Sequence, residues 1–572
     1  ASYNDVSVER DKSRKEVISQ AEVSVDQEKK NSSRTELLES NDAGRAAIPI
    51  KSAQKLVASE SLAKRKRTAG SMQMLAGVAA QMNIKHIAPD NTVAYYQDRG
   101  RETYASVAQS SVQQVSQSPV STFSIDVDTG SYTNIRRMLT QGHLPPVDAV
   151  RIEEMVNYFD YAYEAPSEII DPFSIHTELA MSPWSQGHAL LRIGLKGYEP
   201  EQGERPASNL VFLLDVSGSM NSPNKLPLLK RSLALLSRQL KSTDKVSIVV
   251  YAGASGVVLE PTDGNKTFEI VQALNKLTAG GSTNGQAGIQ LAYQMARKFY
   301  DPAGINRVIL ATDGDFNVGT RDVDALKALI KLNREEGISL TTLGFGTGNY
   351  NDHLMEQLAD VGNGNYAYID SFNEARKVLV EELSATLMTI AKDVKIQVEF
   401  NPAIVKEYRL LGYENRALAR EDFNNDKVDA GEVGAGHTVT ALYEIVLKGG
   451  SGKRIDPLRY QSEDSSETRL TNGKSNELAF IKFRYKDLIS ASSTLISRPI
   501  AAPKHIAGFE NASENFRFSA TVAHFGETLR QSKYLAEIDY EAMIKHALNS
   551  KGSDPFGYRS EFIQLVRLAS NL

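Results

Sequence analysis

Leu210-Val211-Phe212-Leu213-Leu214-Asp215-Val216-Ser217-Gly218-Ser219-Met220 decides the fold of the middle of this chain. Five apolar residues in a row read as a strand buried on both faces. The run stops at Asp215, and the polar, glycine-containing stretch after it reads as a turn. A helical pattern begins at Lys225, and the strand, loop and helix unit then recurs. Strands are expected at 210–214, 246–251, 257–259, 307–311, 339–345 and 366–369, with helices at 225–240, 266–277, 285–299, 322–336, 352–361 and 371–387. Buried strands separated by amphipathic helices predict a doubly wound α/β sheet over 205–387. Ligand sites of such sheets lie at the carboxyl ends of the strands.

Three loops carry oxygen ligands at that edge. Asp215, Ser217 and Ser219 follow the first strand. Thr283 stands in Gly280-Gly281-Ser282-Thr283-Asn284-Gly285, just before a helix start, and Asp313 follows Ile309-Leu310-Ala311-Thr312. The spacing D-x-S-x-S lets a turn aim alternate side chains at one point, with Gly218 allowing the tight bend. Two carboxylates and three hydroxyls, without sulfur or imidazole, suit a magnesium-like cation. The hydroxyls can ligate directly, and the aspartates directly or through waters. A position is then left for a carboxylate from another molecule. Without an ion, two facing aspartates repel, so they should be harder to ionise.

The flanks differ in character. Residues 1–115 are rich in Ser, Gln, Lys, Glu and Asn, a composition expected of a disordered polar tail. Within it, 71–82 has the spacing of a short helix, and Lys64-Arg65-Lys66-Arg67 reads as a solvated basic run. Order is expected from near Pro119, with an N-terminal helical region over 116–170: a strand at 120–127 and helices at 132–139 and 148–159. Strands at 173–180 and 189–196 fall in 171–204, and strands at 394–400, 405–411, 438–447 and 477–485 fall in 388–500. Arg192-Ile193-Gly194-Leu195-Lys196-Gly197 is similar to Glu444-Ile445-Val446-Leu447-Lys448-Gly449. The strands on either side of the α/β region are therefore expected in one β-sandwich, with the α/β domain inserted. A C-terminal helical region is expected over 501–572.

Composition narrows the function. A net charge of -5 on 572 residues gives no reason to expect nucleic acid as a partner. The absence of cysteine excludes disulfides, thiolate nucleophiles and zinc ribbons. No apolar run is long enough for a transmembrane helix. The chain starts Ala-Ser-Tyr-Asn, without methionine or apolar leader, as expected of a processed form.

Residues 211–220 and the loops around Thr283 and Asp313 resemble the metal-ion-dependent adhesion site of the von Willebrand factor type A domain, a Rossmann-like fold. The resemblance implies that Asp215, Ser217, Ser219, Thr283 and Asp313 hold magnesium (or manganese or calcium), and that an Asp or Glu of a protein partner completes the coordination. Ser121-Thr122-Phe123-Ser124-Ile125-Asp126-Val127-Asp128-Thr129, Arg151-Ile152-Glu153-Glu154 and the stretch from Asp429 to His437 resemble the YfbK-like family of bacterial type A domain proteins. That resemblance implies an envelope or periplasmic protein, tethered through an N-terminal lipid anchor of a lipoprotein.

Other motifs carry weaker signals. Asp126-x-Asp128-x-Gly130 reads as an Asx-type turn capping the helix at Tyr132 sooner than as a calcium loop. The stretch from Asp422 to Asp426 starts like an EF-hand loop, but Lys427 stands where glycine is needed. Gly344-x-Gly346-x-Gly348-Asn349 resembles a dinucleotide loop without its third glycine spacing. His524 and His546 read as packing or surface residues, and Trp184 as a turn aromatic on the sandwich. The expected function is non-enzymatic protein binding. The alternatives are a magnesium-assisted hydrolase with Asp315 as base, and a purely structural ion.

Overall fold

The computed structural model describes residues 102–106, 108–168, 170, 172–200, 205–282, 285–314, 323–348, 350–456, 476–488 and 492–572. The short helix at 71–82 and the basic run at 64–67 lie outside these residues. So do Thr283 and Asp315.

The described chain opens with β1 (Gln113–Gln114), β2 (Val120–Ser124), α1 (Gly130–Thr140), α2 (Ile152–Asn157), β3 (Phe173–Met181) and β4 (Ala189–Gly197). The α/β region follows: β5 (Ser208–Asp215), α3 (Leu226–Leu236), β6 (Lys245–Tyr251), β7 (Ser255–Asp263), α4 (Thr267–Asn275), α5 (Gly285–Lys298), β8 (Ile305–Thr312), α6 (Val323–Glu335), β9 (Ser339–Phe345), α7 (Asp352–Val361), β10 (Tyr366–Ile369), α8 (Phe372–Arg376) and α9 (Leu383–Leu387). Then come β11 (Thr389–Phe400), β12 (Val405–Leu411), β13 (Val433–Gly434), β14 (Thr438–Leu447), β15 (Glu477–Lys486) and β16 (Ser493–Ala501). The chain closes with α10 (Glu514–Leu529), α11 (Tyr540–Asn549) and α12 (Tyr558–Ala569).

The central sheet runs β10-β9-β8-β5-β6-β7, parallel except for the edge strand β7. All eight residues of β5 are buried. Leu210, Phe212 and Leu214 join the core under one face, while Val211 and Leu213 join the core under the other. The period of two places successive side chains on opposite faces, so a strand covered by helices on both sides must be apolar throughout. Helix α5 lies close on the sheet: a Cβ at Gly288 would come within 2.7 Å of the Tyr251 Cβ.

Two antiparallel sheets form the sandwich. One runs β1-β12-β14-β4-β3, and the other β13-β11-β15-β16 with β2 also on β11. Their inner faces share a core that includes Leu191, Ile193, Val394, Ile396, Tyr443 and Ile481. The two similar stretches fall on adjacent strands, for β4 pairs antiparallel with β14, Arg192 opposite Leu442 and Leu190 opposite Glu444. The α/β domain therefore leaves the sandwich after β4 and returns to it at β11.

A third core joins the N-terminal and C-terminal helices, with Phe159, Phe518, Phe525 and Phe562 in edge-to-face contact. Trp184 packs against this helical core and stacks on His524 at 5.0 Å, so its expected seat on the sandwich is corrected to the helices. Both sides of that stack are largely enclosed, and His524 is a packing residue as expected.

Several expected boundaries shift. Residues before Pro119 already pack against the fold: Glu102 is buried and paired with Arg137 at 2.9 Å, and β1 pairs with β12. The end of the stretch expected as a tail over 1–115 thus carries several contacts to the fold, among them Gln109 to Ser532 and the Ser110 N–H to Glu414 at 3.2 Å. The helix expected at 148–159 becomes a short turn at Val147–Ala149 and then α2. Between them Val150 is extended and the Arg151 N–H donates to Ser131 Oγ at 2.9 Å. The helix expected at 371–387 is interrupted by a π turn at Lys377–Glu381. Glu374 accepts from Arg136 and Tyr158, and Lys377 lies 4.6 Å over the Tyr158 ring. These contacts fix the face that turn presents.

Candidate metal site

The loop after β5 is built by its own first residue. The Ser217 N–H donates to Asp215 Oδ1 at 2.8 Å, an Asx turn that reverses the chain at the strand end. Ser217 Oγ and Ser219 Oγ then lie 3.0 Å apart. The other carboxylate oxygen, Asp215 Oδ2, accepts from Thr312 Oγ1 at 3.0 Å and from Tyr251 OH at 3.2 Å. Asp215 is thus bonded from β6 and β8, the two neighbours of its strand.

The second loop is stitched to the first. The Gly280 N–H donates to the Val216 carbonyl at 2.8 Å, and the Gly218 N–H to the Gly281 carbonyl at 3.1 Å. Gly281 has φ +84°, a left-handed conformation that suits glycine. Thr283 is two residues further on, outside the described residues. Asp313 follows β8 directly, is buried, and accepts from Lys225 Nζ at 2.8 Å. Four of the five expected ligands therefore stand in loops at one edge of the sheet, beyond the carboxyl ends of the adjacent strands β5 and β8.

Burial pushes the Asp215 carboxyl up to about 6. The hydrogen bonds from Ser217 and Thr312 oppose the rise, and the Asp313 charge adds to it. For Asp215 the main cause is therefore desolvation, with the neighbouring aspartate a lesser one. Two enclosed carboxylates beside two hydroxyls make a hard-oxygen donor set that fits a divalent cation. Asp215, Ser217, Ser219 and Asp313 are the described residues available to hold one. Sequence reading missed Lys225, Thr312 and Tyr251; each touches an aspartate through tertiary packing.

The weaker motifs find structural duties. Asp126 and Asp128 form the expected Asx turn, with the Asp128 N–H donating to Asp126 Oδ1 at 3.0 Å. That turn does not cap α1, and the correction is specific: Glu154 Oε2 accepts the Ser131 N–H at 2.7 Å instead. Asp126, Asp128 and Glu356 offer oxygens within 4.8 Å of one another, and Arg416 bonds to all three and to Asp360. In the EF-hand-like stretch, Asp426 pairs with Arg484 at 3.1 Å. Asp370, just after β10, pairs with Arg136.

The sequence matches known protein families. The family pattern described as "von Willebrand factor type A domain" matches residues 209–382, and "Uncharacterized protein YfbK, C-terminal" matches residues 385–572. A further pattern, "von Willebrand factor", matches residues 98–192. "Uncharacterized protein YfbK" of Escherichia coli (strain K12) is 45% identical over 500 residues, covering 86% of this chain and 84% of its own length. The chain belongs to the YfbK family. The family likeness thus extends across the sandwich and helices as well as the α/β domain. Beyond it, inter-alpha-trypsin inhibitor heavy chain H3 of Pongo abelii is 24% identical, over 42% of this chain and 29% of that one. Among solved structures, a von Willebrand factor type A protein from Catenulispora acidiphila covers 69% of this chain and 89% of its own at 15% identity, with a TM-score of 0.38. Type A domains are commonly protein-interaction modules, and they often hold a metal ion.

Proposed function

We propose that this YfbK-family protein is a metal-dependent protein-binding module of the bacterial cell envelope. Asp215, Ser217, Ser219, Thr283 and Asp313 hold a magnesium ion, which keeps positive charge because three of its ligands are neutral hydroxyls. An Asp or Glu of a partner protein completes the coordination. The observation that supports this most is the meeting of Asp215, Ser217, Ser219 and Asp313 beyond the ends of two adjacent strands, with Gly280 and Gly281 bonded to the first loop. Periplasmic location and a lipid tether ahead of the polar N-terminal stretch belong to the same reading. No helix among the described residues is long and apolar enough to cross a membrane.

Calorimetry with magnesium on the folded protein tests the ion. Binding that vanishes in Asp215→Asn and Asp313→Asn is expected, and a folded wild-type protein with no divalent-ion heat would end the proposal. Thr283→Ala tests the contact: it should fold normally yet lose magnesium-dependent pull-down of partners from envelope extract.

A further inference from the structure

Lys225 is the residue in this site that nothing in the ligand motif calls for. It stands at the start of α3, its backbone N–H donating to the Ser222 carbonyl at 3.0 Å. Its side chain is nearly enclosed, 7% exposed, and its ammonium meets a fully buried Asp313 carboxylate at 2.8 Å. The stem has a made path. It runs across Gly346, where a Cβ would come within 2.3 Å of the lysine Cε and 2.4 Å of its Cγ. Gly346 is itself pinned, since Tyr368 OH donates to its carbonyl. The glycine that looked like part of a dinucleotide loop is the floor of a groove for this lysine.

We infer that Lys225 sets the charge of the site, trading affinity for the ion against affinity for an anionic ligand. The inference rests on reading the site as metal-binding. Before an ion binds, two carboxylates and one ammonium, counted among the described residues, contribute a charge of -1. A divalent ion brings it to +1, and one carboxylate from a partner brings it to zero. Without Lys225 the ion alone would neutralise the two aspartates, and an incoming carboxylate would meet no net positive charge. The ammonium also repels the ion across a short distance in a poorly solvated place, where such terms are strong. So the lysine weakens ion binding and strengthens capture of a carboxylate. Lysine suits this role because it is a compact point charge on a flexible stem.

The test compares Lys225→Met, Lys225→Gln and Lys225→Arg in the full chain. Magnesium alone is titrated by calorimetry, and acetate is then titrated into the magnesium-saturated protein as the carboxylate probe. Both neutral variants should bind magnesium roughly tenfold or more tighter, and acetate more weakly, while Lys225→Arg, which keeps the positive charge, should show no such gain in magnesium affinity. The opposite signs matter, because a merely structural lysine would move neither or lower both. Magnesium affinity that is unchanged or weakened in the folded neutral variants overturns the inference. Unfolding of both neutral variants overturns it too, since the ammonium would then be a structural ion-pair partner. Absence of magnesium binding in wild type and variants alike would instead remove the metal reading beneath it.

Discussion

Two acidic clusters in this molecule use the same chemistry to opposite ends. At the edge of the central sheet, the cation described beside Asp215 and Asp313 is the Lys225 ammonium, which bonds to Asp313. In the seam between α7 and the sandwich, Asp126, Asp128, Glu356 and Asp360 are served by Arg416, at 3.2, 3.4, 3.3 and 2.8 Å respectively. A guanidinium fork offers five donors in a fixed plane and keeps its charge, so it can fill the space among several carboxylates. A lysine offers a point and leaves the rest of the space to something else. The cluster at the Asp126 turn is thus filled by a guanidinium, while the one at the sheet edge sets two hydroxyls beside its carboxylates.

The contrast can be broken by experiment, and the largest effect belongs to the closed cluster. Arg416→Ala leaves buried carboxylates without their cation, and should cost about 3–5 kcal/mol of stability in denaturant unfolding. Added magnesium should not restore it; a restoration would mean that the arginine stands in a metal site. Next comes the open cluster. Magnesium at a hundred times its dissociation constant should stabilise wild type by about 2.7 kcal/mol and leave Asp313→Asn unmoved. A thermal shift of equal size in both proteins would show that the ion acts elsewhere.

A smaller effect separates the clusters by pH. Burial pushes Glu356 up to about 7, opposed by Arg151 and Arg416. The folded chain then holds that proton better than the unfolded chain, whose glutamate titrates near 4.5. Stability from this group is present in full below pH 4.5 and is lost as pH rises through 7. Glu356→Gln should flatten that stretch of the stability curve, by about 1 kcal/mol or more; an unaltered slope would mean that Glu356 is ionised throughout. The smallest change is expected from Ser219→Ala. Its hydroxyl is exposed and bonds to Ser217, so magnesium affinity should fall severalfold with stability within about 0.5 kcal/mol of wild type. A variant binding as wild type would remove Ser219 from the ligand set.

Much of the architecture was legible because it rests on periodicity. The run from Leu210 to Leu214 has to be a strand covered on both faces, and β5 is the central strand with apolar cores on either side. The likeness of 192–197 to 444–449 pointed to one β-sandwich, and β4 and β14 lie side by side in one of its sheets. Failures came where one distant charge overrules local propensity. Glu102, Gln109 and Ser110, which composition assigns to a tail, bond to the distant Arg137, Ser532 and Glu414. Arg136 and Tyr158 interrupt a helix that periodicity would continue to Leu387. The candidate ligands were visible as a spaced pattern of oxygens, but Tyr251 and Thr312 on Asp215 were not.

By itself, the sequence determined the order of strands and helices, the inserted α/β domain and which oxygens stand at strand ends. These follow from alternation and spacing along the chain, which are local. Tertiary structure alone decided which cation meets which carboxylates, because that depends on residues far away in sequence: Lys225 lies 88 residues from Asp313, and Arg416 lies 290 residues from Asp126. Their charge acts through space, at distances that no spacing in the chain records.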